Sequence, residues 1–181
     1  MRIKKEFYRK GTIEIAKDLL GKYLVTIIDG KKTVGKIMET EAYLHDDPAS
    51  HSFKGKTKRN EPMFMEAGKC YVYFIYGMYE CFNVVTNKEN IGEAVLIRVL
   101  KPVEGIDFMI ERRGKEKDLC NGPGKLTISM GISRGLNGVD LSESDEIFIE
   151  DRGKFKGNII ESKRIGISKG ANLDLRFSIT D

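Results

Sequence analysis

Residues 23–43 read Y-L-V-T-I-I-D-G-K-K-T-V-G-K-I-M-E-T-E-A-Y, two apolar-rich runs separated by Asp29-Gly30. An Asp-Gly step in that setting is a strong hairpin signal, because the two-residue primed turn needs left-handed backbone at both central positions and these residues tolerate it. Tyr23 to Ile28 and Thr33 to Tyr43 are therefore expected to pair as strands, which places Glu39 and Glu41 on the second. The period of two sets Ile37, Glu39, Glu41 and Tyr43 on one face and Met38, Thr40 and Ala42 on the other. A carboxylate and an aromatic ring thus share a surface on a rigid element, an arrangement that suits a general base whose orientation matters. A solvated face is the ordinary fate of a strand glutamate and competes with this reading. Glu39 is expected to follow that course or to support its neighbour.

Outward from this hairpin, strands continue to cluster. Upstream, Ile13, Ala16, Leu19 and Leu20 fall at helical spacing over Thr12 to Leu20, and Gly21 stands where a left-handed C-terminal cap belongs. Downstream, the run from Cys70 to Val85 alternates strongly with a break at Gly77, and Ala94 to Leu100 reads as a buried strand that stops before Lys101-Pro102. A helix is expected over Val103 to Arg113 and another after Pro123-Gly124, with strands near Glu146 to Glu150 and Asn158 to Ile167. The segment Gly122-Pro123-Gly124-Lys125 is itself read as a loop in preference to a phosphate-binding helix start. Strands that cluster, instead of alternating strictly with helices, favour a mixed sheet with helices on its flanks.

Bulk properties bound the setting. At 181 residues and 40% hydrophobic content, one domain over residues 1–181 with a sizeable core is expected. No stretch approaches the roughly 18 consecutive apolar residues of a membrane span, and the basic start leads into no apolar signal-peptide core, so a cytoplasmic protein is expected. Thirty-one Lys plus Arg against 27 Asp plus Glu give a formal charge of +4 and a pI near 8.8, which permits a polyanionic partner without demanding one. Cys70, Cys81 and Cys120 show none of the close pairings of a zinc site or redox pair and are read as reduced packing residues. With two histidines, a multi-histidine metal centre is not expected.

Four of the seven tyrosines, Tyr71, Tyr73, Tyr76 and Tyr79, crowd the 70–85 hairpin. Aromatic strands usually build core, and Phe74 with Val72 is expected to do so. Tyr76 immediately precedes Gly77 and should project near the tip, where a rigid aromatic can wedge into a base stack, while Tyr73 points from the other face as a pocket wall. Asn83 should lie opposite Tyr73 within about one residue of register and could offer an amide to a base edge. His51 follows the turn-like D-D-P-A-S stretch, and after it Lys54, Lys56, Lys58 and Arg59 stand in a loop where phosphates could be met; a hydrogen-bonding structural histidine and a merely solvated basic loop are the competing readings. Arg98 interrupts the buried run A-V-L-I-R-V-L and must face a carboxylate, a phosphate or a wet pocket.

Several strings taken in order carry a resemblance: E-T-E-A-Y (39–43), D-D-P-A-S-H (46–51), R-N (59–60) with M-F (63–64), Y-V-Y-F-I-Y-G (71–77), Asn83, Arg98, and later G-P-G-K-L (122–126) and R-I-G (164–166). Residues 37 to 98 resemble the core of the alkyladenine (3-methyladenine) DNA glycosylase family, also called methylpurine glycosylases. The resemblance implies one α+β domain with a curved, mostly antiparallel sheet, flanking helices and a protruding hairpin. It implies Glu41 as the base that activates water and Tyr43, His51 and Tyr73 as a box around an extruded base. Tyr76 would fill the vacated space in the duplex, Asn83 would disfavour guanine's amino group, and Arg98 would position the sugar-phosphate or the water. Lys54, Lys56, Lys58, Arg59 and Met78 would contact the DNA backbone. The partner implied is double-stranded DNA containing damaged purines, met by a monomer without metal or cofactor, at the nucleoid if the cell is prokaryotic. His45 departs from the family, many of whose members have glycine there, and the C-terminal N-L-D-L-R-F-S lacks a proline that often precedes the R-F pair.

The chemistry agrees with these residues. Alkylation at N3 or N7 makes a purine cationic, and an electron-rich aromatic face attracts a cation by roughly 0.5–2 kcal/mol per contact. Cleavage of the N-glycosidic bond builds positive charge on the sugar, which a nearby carboxylate can stabilise while it takes a proton from water. No lysine sits on the proposed catalytic strand, so a monofunctional enzyme is expected. Two other classes remain open: a non-catalytic nucleic-acid-binding module, indifferent to Glu41→Gln, and a hydrolase of free nucleosides, which would gain nothing from a tip-exposed Tyr76.

Overall fold

In the computed structural model, residues 1–153, 155 and 157–180 are described. The main elements are helix α1 (Thr12–Asp18), strands β1 (Tyr23–Ile28), β2 (Lys31–Tyr43), β3 (Cys70–Ile75), β4 (Tyr79–Val85) and β5 (Ala94–Glu104), helices α2 (Ile106–Arg113) and α3 (Pro123–Met130), and strands β6 (Ile147–Glu150), β7 (Ile160–Ser162) and β8 (Arg176–Ser178). The sheet runs β3-β4-β5-β2-β1-β6, with β8 on β2 and β7 on β8. All strand pairs among the described residues are antiparallel, so the sheet is not mixed as the clustering of strands suggested. The Asp29-Gly30 hairpin forms as expected: both residues have positive φ, 52° and 72°, and Ile28 faces Lys31.

Strand β2 is the spine. One edge pairs with β5 along nearly its whole length, while the other takes β1 at Lys31–Lys36 and β8 at Glu39–Glu41. The far half of β2 is therefore held on both sides. One face of the sheet is covered by α1, whose Ile15 and Ala16, with Leu19 at its C-terminal cap, are buried with Ile37, Ala42, Val84, Val95 and Ile97. Thr40 Oγ1 donates to the Ala16 carbonyl at 2.8 Å and fixes that contact. Leu126 and Met130 of α3 and Met109 of α2 extend the same core. Each of the larger aliphatic side chains among these contributes about 1.5–3 kcal/mol by leaving water.

Several sequence expectations give way. Ile37 does not share a face with Glu39: the β2–β5 register shifts between Ile37 and Glu39 and again before Thr40, which breaks the period of two and turns Ile37 into the core. Strand β5 passes through Lys101-Pro102 to Glu104, because Pro102 faces Gly35 next to another register shift, where the ladder is already irregular. That extension delays α2 to Ile106. Residues 158–167 hold only the short β7, while β8 was not anticipated. Segment 122–125 is the start of α3, with Pro123 in its first turn, and is not a loop. Phe74 is not core; it is 38% exposed, with the Arg134 guanidinium 4.8 Å from its ring. The hairpin protrudes past the sheet there, so Val72 is buried and Phe74 has no layer to pack against. Cys70, Cys81 and Cys120 are free and buried.

Candidate active site

A cavity of about 420 Å³ opens between the β3–β4 hairpin, the end of β2, the start of α3 and residues 165–167. Tyr43, His51, Tyr73, Asn83, Arg98 and Tyr76 all line it, so residues spread from 43 to 98 meet as the sequence suggested. The aromatic walls already touch. The His51 and Tyr73 rings are 4.5 Å apart at 68°, and Tyr71 lies 5.3 Å from Tyr73, tilted by 37°. His51 Nδ1 and the Tyr71 hydroxyl share a hydrogen bond of 2.9 Å, which fixes the imidazole. Burial, helped by the charge of Arg59, lowers the His51 pKa, so the ring is neutral at pH 7. Its exposed surface faces the open cavity.

Two details of the hairpin set what reaches this space. Tyr76 and Gly77 both adopt left-handed backbone, φ 54° and 64°, and the Met78 amide donates to the Ile75 carbonyl at 3.2 Å. Tyr76 is thereby lifted to the tip, 78% exposed, with Met78 exposed beside it. The loop is centred on Gly77, so Tyr73 faces Cys81 and Asn83 faces Tyr71, two residues from the expected partner. Asn83 still reaches the cavity, and its Nδ2 donates to the Tyr71 carbonyl at 3.1 Å. Gly124 lets α3 press on the hairpin, since a Cβ there would lie 2.8 Å from Tyr79 Cγ.

Glu41 lies just behind the walls and is wholly buried, 0% exposed. Tyr43 Oη donates to its Oε2 at 2.8 Å, the Ile165 amide donates to Oε1 at 2.9 Å, and Arg98 Nη1 stands 3.4 Å from Oε1. Burial first, then the charge of Glu41, pushes the Tyr43 phenol well above its usual range, so it remains a donor. Arg98 Nε donates to Glu39 Oε1 at 2.9 Å, and Arg176 Nη1 stands 3.4 Å from Glu39. Cation and anion thus alternate along Arg176, Glu39, Arg98 and Glu41. The requirement that Arg98 find a partner is met by two carboxylates at once.

Lys54, Lys56, Lys58 and Arg59 are exposed on the loop after His51, and none lines the cavity. Lys56 pairs with Glu61 at 3.1 Å, and Arg59 donates to the Phe74 carbonyl at 3.1 Å with its guanidinium 5.7 Å from the Tyr73 ring. Asn60, buried, ties this loop by donating to the His51 and Gly55 carbonyls. Sequence reasoning did not assign roles to Asp47, Arg164 or Ile165. The first two form a buried ion pair and the third caps Glu41 through its backbone; only the strings D-D-P-A-S-H and R-I-G hinted at them. Among the described residues, no cluster of His, Cys, Asp and Glu could hold a metal ion, and no helix is long and apolar enough to cross a membrane.

The sequence pattern of the family described as methylpurine-DNA glycosylase (MPG) matches residues 6–181. The chain belongs to that family. As a methylpurine-DNA glycosylase family member it is a DNA glycosylase, a hydrolase of N-glycosyl bonds that acts in DNA repair. It is 48% identical over 178 residues to a protein of Francisella tularensis subsp. tularensis named "Putative 3-methyladenine DNA glycosylase", covering 96% of this chain and 92% of the relative. Proteins of the same name from Carboxydothermus hydrogenoformans and Methanoculleus marisnigri are 47% identical over 180 residues and 48% over 179, covering 98% and 94% of this chain and 94% and 91% of theirs.

Proposed function

We propose that this glycosylase releases alkylated or deaminated purines from duplex DNA, acting as a monomeric domain over residues 1–181 on a base turned out of the helix into the cavity. The observation that carries this reading is Glu41 held by Tyr43, Arg98 and the Ile165 amide directly behind an aromatic cavity of about 420 Å³. Flipping costs a few kcal/mol, and Tyr76 at the tip stacks into the gap to offset part of it. His51, Tyr73 and Tyr43 take the purine between their faces, and Asn83 meets its edge and crowds out guanine's amino group. The exposed Lys54, Lys56, Lys58, Arg59 and Met78 lie against the strand backbone.

In the chemical step the C1′–N bond breaks with its electron pair leaving on the base, and water oxygen bonds to C1′ as its proton passes to Glu41. The three donors around Glu41 keep the carboxylate aimed while Arg98, which borders both the cavity and Glu41, orients the water and the sugar-phosphate. Tyr43 and Arg98 must yield slightly for water to reach the sealed carboxylate. No lysine borders the cavity among the described residues, which supports a product with an intact abasic site.

The test is base release from duplex oligonucleotides bearing 3-methyladenine, 7-methylguanine, ethenoadenine or hypoxanthine, with wild type beside Glu41→Gln. Wild type should release at least one base, Glu41→Gln should be slower by about 10²–10⁴-fold, and borohydride should trap no covalent adduct. Release from no lesion, or equal rates for the two proteins, would overturn the reading.

A further inference from the structure

Asp47 and Arg164 form an ion pair that no step above uses. Arg164 Nη2 donates to Asp47 Oδ1 at 2.9 Å, and Nη1 donates to Oδ2. Nη1 also donates to the Ala42 carbonyl at 3.0 Å, and Nη2 lies 3.3 Å from the Gly170 carbonyl it donates to. Both side chains are buried, 0% and 1% exposed. The guanidinium carbon lies 4.7 Å from the centroid of the Tyr43 ring. Tyr43 borders the cavity and Arg164 does not, so the guanidinium takes the rear of the ring and leaves the front to the purine.

An aromatic face attracts a cation through its π density. A second cation behind the ring draws on the same density and repels the first across it, and an unpaired carboxylate behind the ring does the reverse. In this protein the carboxylate of Asp47 grips the guanidinium at two nitrogens and offsets its charge where Tyr43 would feel it. We propose that the Asp47–Arg164 pair sets substrate selectivity by keeping the rear of Tyr43 electrically balanced, so that this wall accepts cationic and neutral damaged purines alike. This rests on the base-excision reading given above.

The experiment measures single-turnover release of 7-methylguanine, which is cationic, and of hypoxanthine, which is neutral, and follows the ratio of the two rates. Asp47→Asn leaves Arg164 uncompensated and should move the ratio toward hypoxanthine by about 3- to 30-fold. Arg164→Gln leaves the carboxylate and should move it by a similar factor toward 7-methylguanine. The double variant carries neither charge and should return to the wild-type ratio. A pair that only braces the fold would lower both rates together in every variant, or move the ratio one way in both single variants, and either result overturns the proposal. If Asp47→Asn does not fold, the comparison of Arg164→Gln with Arg164→Lys decides, since only glutamine should shift the ratio. Failure of wild type to release either base would overturn the excision reading itself, whereas wild-type release with an unmoved ratio overturns this inference alone.

Discussion

Replacing Tyr76 with glycine should push stability and activity in opposite directions. Tyr76 holds φ at 54° and is 78% exposed, so the fold bears a left-handed tyrosine with little packing in return. A left-handed L-residue costs about 1–2 kcal/mol, and glycine's larger loss of freedom on folding returns about 0.5–1 kcal/mol of that gain. The net is about 0–1.5 kcal/mol in favour of the variant, an upward shift in Tm of about 0–6 °C at this chain length. Excision should suffer instead. Stacking on an aromatic is worth about 1–3 kcal/mol per base, so loss of the wedge should slow release from duplex DNA about 5- to 150-fold. A single strand has no gap to fill, and there the loss should be small. The assays are a thermal melt and single-turnover release of the same lesion from duplex and from single strand. A Tm lowered by several degrees would mean that contacts hold Tyr76 in place, and an equal loss on both DNAs would mean that the residue shapes the cavity without entering the helix.

Two further outcomes follow from the charge clusters. Arg98→Met removes the cation that Glu39 and Glu41 share and leaves Glu39 only Arg176 and Glu41 only neutral donors in a mostly buried setting, at a cost of up to about 3–5 kcal/mol, so Tm should fall by as much as about 6–20 °C; a fall under about 2 °C would show that the remaining partners suffice. His45 Nδ1 lies 2.6 Å from Glu93 Oε1, and this hydrogen bond raises the pKa of His45. Burial pushes Glu93 up, but hydrogen bonds from His45, Thr12 and Asn87 outweigh it and leave its pKa lowered. The His45 contribution is complete below its unfolded value of 6.5 and is lost as pH rises through the raised folded value. The Glu93 contribution is present above 4.5 and is lost as pH falls through the lowered one. The gap in Tm between wild type and His45→Gly should therefore be wider at pH 5.5 than at pH 8.5, and a gap that widens toward high pH would refute the coupling.

What could be read in the sequence was local. Asp29-Gly30 announced its hairpin because turn geometry restricts residue type, and the strand it opened carried Glu41 and Tyr43 to a common face. Tyr76 was placed at a tip because Gly77 marks the bend. What escaped were properties shared by distant segments. The face of Ile37 depends on a register shift against β5, and the partner of Asn83 depends on a hairpin loop centred on Gly77, with one residue on either side of it. Strand β8 is three residues long and finds its place only by pairing with β2 and β7. Asp47 and Arg164 lie 117 positions apart, and no periodicity connects them. Phe74 shows the converse: an aromatic in a clean alternating pattern is exposed because the sheet ends beneath it.

The succession of β1 and β8 along one edge of β2 has a consequence for biosynthesis. The first hairpin involves residues 23–43 and can close as soon as they leave the ribosome, yet Glu41 then lacks the Ile165 amide and strand β8, whose Arg176 lies opposite it. Ile165 is translated 124 residues after Glu41, and Arg176 later still. A nascent chain can therefore close its first hairpin well before the partners of Glu41 exist, and the interval is a length of chain that translation must supply before that carboxylate is held in place.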